Sequence, residues 1–162
     1  MFYESTRGGL KGLSSAEAIK MGIAPDGGLF VPEERVTVDI DKMQNFINMS
    51  YHDRAVEILK YFIDDYSEDE IKECVYNAYT FDKFGCNEIA PVYKLTDNIH
   101  VLELWHGPTS AFKDMALQIL PHFLVKAMRK TGETDEIVIL VATSGDTGKA
   151  ALEGFRDVDG TK

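Results

Sequence analysis

The chain is organised around ten residues, Trp105-His106-Gly107-Pro108-Thr109-Ser110-Ala111-Phe112-Lys113-Asp114. They join the apolar run at 99–104 to a helical pattern, and Thr109 or Ser110 is available to cap the helix that follows. Lys113 lies in or beside the first helical turn, where unpaired N–H groups and the positive end of the helix dipole disfavour a charged lysine. Taken alone, this stretch is also explained by a solvated lysine, so a functional interpretation needs a second feature.

Composition excludes several classes of protein. The chain has 162 residues, which is enough for one domain or two small ones, and its hydrophobic and charged fractions are those of a globular protein. A net charge of −10 argues against nucleic acid or an anionic membrane as a partner. No apolar run is long enough for a transmembrane helix, and the N-terminus does not resemble a signal peptide. The spacing of Cys74 and Cys86 fits no zinc or redox motif, and a disulfide between them stays possible. We take a reducing cytoplasm as the default location.

The first ninety residues predict an extended N-terminal arm followed by a helical domain. Capping boxes at 14–17, 50–53 and 67–70 each predict the start of a helix, and the first of these helices should end at Gly22. The intervening predictions are a tight turn and short strand at 24–32, a weak helix at 41–49 and a loop at 81–86.

From residue 91 onward the pattern changes to alternating strands and helices. We predict extended segments at 92–95 and 99–104, a helix at 112–129 that Pro121 kinks or splits, a strand at 136–142 and a helix at 147–155. The β-branched run at 136–142 suits a strand buried on both faces of a parallel sheet. The sequence therefore predicts an α/β fold with a helical domain at 1–90 and the beginning of a βαβ domain at 91–162. Two parallel strands cannot cover their own faces, so we expect a fragment or a chain that completes its sheet by oligomerising.

A second loop, Thr143-Ser144-Gly145-Asp146-Thr147-Gly148, lies between the predicted buried strand and its helix. Backbone N–H groups and hydroxyls at a helix N-terminus, at the end of a parallel strand, are typical of an anion-binding site. A nucleotide-binding P-loop does not fit, because the first glycine of that motif is replaced by Thr143 and its last hydroxyl by Ala150. A serine hydrolase does not fit either, since Ala142 stands where a glycine would precede Ser144. No His/Cys cluster suggests a metal. A lysine amine together with an anion site is what a Schiff-base enzyme requires.

Four motifs resemble those of the threonine synthase family in the expected order. His106 to Asp114 resembles the motif that carries its cofactor lysine, and 144–148 resembles its Ser-Gly-Asp-Thr-Gly loop. Ser5-Thr6-Arg7-Gly8 and 25–32 are similar to its opening segments. The loop alone is shared across the fold-type II pyridoxal-phosphate enzymes, whereas the other three motifs narrow the resemblance to this family.

The resemblance implies a lyase that converts O-phospho-L-homoserine and water to L-threonine and phosphate in threonine biosynthesis. Lys113 would bind pyridoxal 5'-phosphate covalently and then move protons, with Phe112 near the cofactor. Asp146 would contact the cofactor and the substrate. The residues implied at the substrate carboxylate and the cofactor ring are Ser144, Gly145, Asp146, Thr147 and Gly148. Thr6, Arg7 and the turn at 26–28 match the family without an assigned role.

Members of this family are several hundred residues long, and the resemblance places their cofactor-phosphate loop in the part that this sequence does not contain. We therefore expect an N-terminal fragment that is inactive alone, with Lys113 free and pyridoxal phosphate absent. Two alternatives remain open: another fold-type II lyase of amino-acid metabolism, and a non-catalytic, threonine-synthase-like association module. A small-molecule substrate is expected for threonine synthase and for another fold-type II lyase. A homo-oligomer is compatible with both enzymes and with the association module.

Overall fold

The computed structural model describes residues 1–143 and 145–162. Eight helices and four short strands follow one another in that part of the chain. They are β1 (Tyr3–Ser5), α1 (Ser15–Met21), β2 (Phe30–Pro32), α2 (Ile40–Asn45) with a 3₁₀ turn at Phe46–Asn48, α3 (Tyr51–Leu59), α4 (Glu68–Ala78), α5 (Phe81–Phe84), β3 (Val92–Lys94), β4 (His100–Leu102), α6 (Asp114–Leu117), α7 (Leu120–Lys130) and α8 (Asp146–Phe155). Among these helices none is long and apolar enough to cross a membrane.

The chain divides into two compact units, which we call the N-terminal unit and the site unit. The N-terminal unit comprises Met1–Glu73 and Phe123–Thr134, and the site unit comprises Cys74–His122 and Asp135–Lys162. The prediction of a domain boundary between residues 90 and 91 concerns the architecture of a longer protein and stays a prediction.

The N-terminal unit contains one antiparallel hairpin and a small helical core. Strands β1 and β2 pair with Tyr3 opposite Pro32 and Ser5 opposite Phe30. The predicted capping box begins α1, because the Ser14 hydroxyl accepts from the Glu17 N–H and the Glu17 carboxylate accepts from the Ser14 N–H. The buried apolar side chains of the N-terminal unit are Ala16, Ala18, Ala24, Val56, Ile63, Tyr66, Ile71, Phe123 and Ala127.

The site unit has its own core and a second antiparallel hairpin, in which Val92 of β3 lies opposite Leu102 of β4. Helix α8 packs closely on α6, because a Cβ added to Gly154 would lie 2.0 Å from the Leu117 carbonyl oxygen. Pro121 splits the predicted long helix into α6 and α7, and it lies in the first turn of α7, where its missing N–H leaves no hydrogen bond unmade. The buried apolar side chains of this unit include Cys74, Val75, Ala78, Tyr79, Phe84, Ile89, Ala111 and Ala150.

The predicted parallel βαβ sheet is not present in the described residues. The segments at 92–95 and 99–104 are extended as predicted, but they pair antiparallel with each other. The run at 136–142 forms only an isolated parallel bridge, between Ile137 and Thr161. Leu140 is 91% exposed and Val138 is 63% exposed. A run of β-branched residues indicates that the segment suits burial. Burial on both faces also requires neighbouring strands, and the described residues do not supply them.

Two smaller predictions also have clear outcomes. The stretch at 81–86 is not a loop throughout, because the Thr80 hydroxyl accepts from the Lys83 N–H and begins the single-turn helix α5, which ends at left-handed Gly85. No disulfide joins Cys74 and Cys86, which removes that alternative.

Candidate functional site

The loop that precedes Lys113 is held by a buried carboxylate. Asp114 Oδ2 accepts from the Thr109 N–H at 2.8 Å, and Asp114 Oδ1 accepts from the Thr109 hydroxyl at 2.8 Å. A Cβ on Gly107 would lie 2.5 Å from the Asp114 side chain, so only glycine lets the loop approach this closely. Ser110 has a positive φ of 59°, which turns the chain between these contacts.

Lys113 is the N-cap residue of α6, beside the first helical turn as predicted, and its side chain makes no capping hydrogen bond. The predicted caps are wrong, because α6 begins only at Asp114 and Thr109 and Ser110 lie in the loop before it. Its Nζ lies 4.4 Å from the centroid of the Phe112 ring, which is a cation–π distance. Phe112 is 62% exposed. In the described part of the chain no salt bridge or hydrogen bond engages Lys113 Nζ, so its amine is not committed to a structural ion pair.

The second loop leads into the N-terminus of α8. Gly145 is the N-cap residue, and Thr143 Oγ1 accepts from the Gly148 N–H at 2.8 Å. A Cβ on Gly148 would lie 2.5 Å from Thr143 Oγ1, which explains a glycine at this position. The N–H groups of Asp146 and Thr147 lie in the first turn of α8, where backbone N–H groups have no partner within the helix and where anions are commonly bound. The prediction for Ser144 lies outside the described residues.

The two loops are joined within the site unit. Lys149 follows Gly148 in α8 and donates from Nζ to the Thr109 carbonyl oxygen at 3.2 Å. The structure thereby links the lysine loop to the first turns of α8, while the contact of α6 with α8 through Gly154 supports the same arrangement. Lys113, Phe112, Gly145, Asp146, Thr147 and Gly148 all lie on these linked segments, and their roles stay predictions.

Sequence reasoning missed three residues that shape this site: Asp114, Thr143 and Lys149. The sequence indicated that Asp114 stands in the first turn of a helix, where a carboxylate is common. That position does not predict the complete burial of its side chain. Lys149 donates to a residue forty positions away, and no local pattern indicates such a contact. Thr143 contacts Gly148, five positions further on, so a hydroxyl residue just before a predicted helix was the signal that could have found it.

A histidine–glutamate contact lies at the start of the lysine loop. His106 Nε2 is 2.7 Å from Glu103 Oε2, and the Trp105 ring stacks on the imidazole with centroids 5.8 Å apart. The Glu103 N–H donates to the Pro91 carbonyl, which fixes the backbone at the end of the hairpin. The imidazole is thus oriented by a carboxylate and an aromatic face.

In the N-terminal unit, the two opening motifs form one hydrogen-bonded turn. The Asp26 carboxylate accepts from the Ser5 hydroxyl and from the N–H groups of Gly9 and Gly28. Arg7 donates from Nη1 to the Asp26 carbonyl oxygen at 2.9 Å. The Ser5 hydrogen bond, followed by those from the Gly28 and Gly9 N–H groups, holds the pKa of Asp26 below its ordinary value. These hydrogen bonds fasten the turn, which we call the Asp26 lock, and they give the two motifs a structural role.

The described residues contain no cluster of His, Cys, Asp and Glu that could hold a metal ion. The groups that could hold an organic anion are the two N–H donors of α8, and the group that could hold a carbonyl compound covalently is Lys113. An exposed aromatic ring beside that amine suits a flat, conjugated cofactor.

Comparisons with known proteins agree on one family. A family profile described as "Threonine synthase N terminus" matches residues 2–79. Threonine synthase of Methylobacillus glycogenes is 40% identical over 169 residues, and the alignment covers 100% of this chain and 35% of that protein. Threonine synthase of Pseudomonas aeruginosa is 39% identical, with 98% and 33% covered. Threonine synthase-like 2 of Xenopus laevis is 38% identical, with 96% and 33% covered.

Solved structures give the same result. The crystal structure of PLP-bound threonine synthase from Brucella melitensis superposes with a TM-score of 0.91 at 35% identity, covering 99% of this chain and 34% of that one. Yeast threonine synthase gives a TM-score of 0.88 at 34% identity, with the same coverage. The chain spans about a third of the length of the relatives that it matches.

Proposed function

Because this chain belongs to the threonine synthase family, we propose that it is the N-terminal part of a pyridoxal-phosphate-dependent threonine synthase. Its substrate is then O-phospho-L-homoserine, which reacts with water to give L-threonine and inorganic phosphate. The observation that carries the proposal is the uncommitted amine of Lys113, on a loop that Lys149 ties to the N-terminus of α8.

Lys113 is the proposed attachment point of the cofactor. Bound pyridoxal phosphate supplies an electron sink for carbanion chemistry at the substrate. Lys113 contributes its amine for that attachment and then accepts and donates protons at Nζ. Its N-cap position on a loop fastened by Asp114 fixes the backbone from which this amine extends, and the exposed Phe112 ring offers a face to a flat ring system.

The first turn of α8 is the proposed carboxylate site. The N–H groups of Asp146 and Thr147 and the helix dipole favour a substrate carboxylate there, and the open space beside Gly145 leaves room for it. Gly148 belongs to the same proposed set and shapes the turn by donating its N–H to Thr143. Ser144 completes this proposed set. The carboxylate of Asp146 opposes a second anion at close range, so its proposed role is to accept a hydrogen bond from the cofactor or the substrate.

The remaining family properties follow as parts of the same proposal. The coverage of about a third of each relative supports a fragment that is inactive alone and does not retain pyridoxal phosphate. In the longer protein the run at 136–142 becomes a strand of a parallel sheet. Three backbone hydrogen bonds that already join Ile137 and Ile139 to Gly160 and Lys162 support that step. We place the enzyme in the cytoplasm and leave a homo-oligomer as compatible with it.

The test uses the protein that contains this chain and measures threonine and phosphate released from O-phospho-L-homoserine. Lys113→Ala should abolish turnover and the absorbance of the covalently bound cofactor, whereas Lys94→Ala, an exposed lysine of the same unit, should leave both unchanged. A fully active Lys113→Ala variant would refute the assigned role.

An absorbance scan of the 162-residue chain with pyridoxal phosphate tests the claim that this chain is inactive alone. Stable binding of pyridoxal phosphate and turnover would contradict that claim.

A second candidate is a non-catalytic association module. The exposed run around Leu140 favours it, because an apolar extended segment with free edges is suited to pairing with another polypeptide. Unchanged biological function of the Lys113→Ala protein would support this candidate over the enzyme.

A further inference from the structure

Asp114 is 0% exposed, and it directly follows the proposed cofactor lysine. Both carboxylate oxygens accept from one residue, Thr109, and no ion pair reaches Asp114 among the described residues. Both oxygens of this buried side chain are used to hold one residue, so Asp114 fastens the lysine loop to the start of α6.

The nearest cation that the hydrogen-bond network reaches is Lys149. Its Nζ donates to the Thr109 carbonyl at 3.2 Å, while the N–H and hydroxyl of Thr109 donate to Asp114. Thr109 thus stands between a cation on α8 and a buried anion on α6. The two helices carry the two halves of the proposed site, so this chain of hydrogen bonds spans it.

The contacts from Lys149 through Thr109 to Asp114 are closely packed and leave little room for movement. The missing side chain of Gly107 allows the loop to rest on Asp114, and the 2.0 Å approach of a Cβ at Gly154 to Leu117 shows that α8 and α6 are also in close backbone contact. A displacement of α8 would therefore be transmitted to the residue that follows Lys113.

We propose that Asp114, Thr109 and Lys149 form a positioning cluster that sets the location of Lys113 Nζ relative to the first turn of α8. The proposal rests on the proposed function, in which Lys113 binds the cofactor. The three are positioning residues, since they act through Lys113 and through the backbone of the loop. Their effect on reaction at Lys113 should be large for the size of the change, because misplacing a reacting group by about 1 Å costs on the order of a hundredfold in rate.

The experiment measures where pyridoxal phosphate reacts on the 162-residue chain. The chain is incubated with pyridoxal phosphate, reduced with borohydride and mapped by peptide mass spectrometry, and the readout is the share of label on Lys113. Lys149→Met and Thr109→Val should lower that share about threefold or more. Thr109→Ser, which keeps the hydroxyl, should restore it, and Lys94→Met should have no effect.

This readout separates positioning from a general loss of structure, because partial unfolding would raise the labelling of all lysines together. Unchanged shares in a folded Lys149→Met variant would overturn the proposal. A wild-type chain without preference for Lys113 is compatible with the proposed function, which holds that this chain alone does not retain pyridoxal phosphate. In that case the cluster is judged without cofactor by the acetylation rate of Lys113 with a succinimidyl ester. A rate that changes at least about twofold in Lys149→Met, but not in Lys94→Met, supports the cluster, and equal rates overturn it.

Discussion

At the scale of single residues, Asp26 shows how one carboxylate can organise two separate sequence motifs. Its oxygens accept from Ser5 and from the N–H groups of Gly9 and Gly28, which approach from both sides of the turn. Gly28 has no room for a side chain, because a Cβ there would lie 2.1 Å from Ser5 Oγ. The lock therefore requires an aspartate, a hydroxyl and glycine together.

Asp26→Asn should destabilise the N-terminal unit, and the size of the effect should depend on pH. The folded pKa of Asp26 is depressed mainly by the Ser5 hydrogen bond, so its ionised form stabilises the fold above the ordinary aspartate pKa. That stabilisation is lost as the pH falls through the folded pKa. Thermal unfolding from pH 7 down to pH 2 should show a wild-type advantage at neutral pH that shrinks in acid.

The control for this series is Asp97→Asn, whose carboxylate is almost fully exposed beside Lys94. It should match the wild type across the same pH range, because an exposed pair contributes little. A wild-type advantage over Asp26→Asn that stays constant down to pH 2 would contradict the role assigned to the ionised carboxylate.

At the scale of elements, the packing of α8 on α6 depends on Gly154. An alanine Cβ would meet the Leu117 carbonyl, which is backbone and cannot rotate away. We expect the clash of Gly154→Ala to cost about 3 kcal/mol, the upper end of the usual range, and the helix propensity of alanine to return roughly 1 kcal/mol, which leaves a net destabilisation of about 2 kcal/mol. Leu152→Ala, at an exposed position of the same helix, should stay within about 0.5 kcal/mol of the wild type in urea unfolding. A neutral or stabilising Gly154→Ala would show that α8 moves freely on α6.

Helix α1 depends on its cap, because seven residues are too few for a helix to be stable by propensity alone. Ser14→Ala removes the hydroxyl that accepts from Glu17, and we expect a loss of about 1 kcal/mol. Ser14→Asp should keep most of the stability, since aspartate caps equally well. Equal losses in both variants would point to a contact other than the cap.

At the scale of the whole molecule, the run at 136–142 leaves apolar side chains exposed to solvent. Val138 and Leu140 face solvent, and the backbone pairs with other described residues only through Ile137 and Ile139. Apolar segments with free edges are typical sites of association between polypeptides.

We expect the 162-residue chain to self-associate at micromolar concentrations through this run, and Leu140→Asp to suppress it. Sedimentation velocity should show species heavier than 18.2 kDa for the wild type and mainly that mass for the variant. Ile47→Asp, at an exposed apolar position of the N-terminal unit, is the matched control and should leave the association unchanged. A wild-type chain that remains at 18.2 kDa would show that the run is tolerated in solvent.

The sequence by itself determined the local features. Capping boxes such as that of Ser14, the division of the long helix at Pro121 and the position of Lys113 at a helix start all depend on neighbours within a few residues. Hydrogen bonds between residues only a few positions apart can be predicted from the sequence pattern, because few other partners are within reach. The same local patterns also carried the resemblance to the threonine synthase family, which the comparisons confirmed.

Only the tertiary structure decided which distant residues meet. The bond from Lys149 to Thr109, the burial of Asp114 and the lock on Asp26 join segments that no periodicity connects. The run at 136–142 shows the same limit from the other side, because its pattern states a preference for burial but cannot supply the strands that would bury it. A β-strand obtains its hydrogen bonds from other segments, whereas a helix obtains them from itself, so the helices of this chain were predictable, and the predicted parallel sheet was wrong for the described residues.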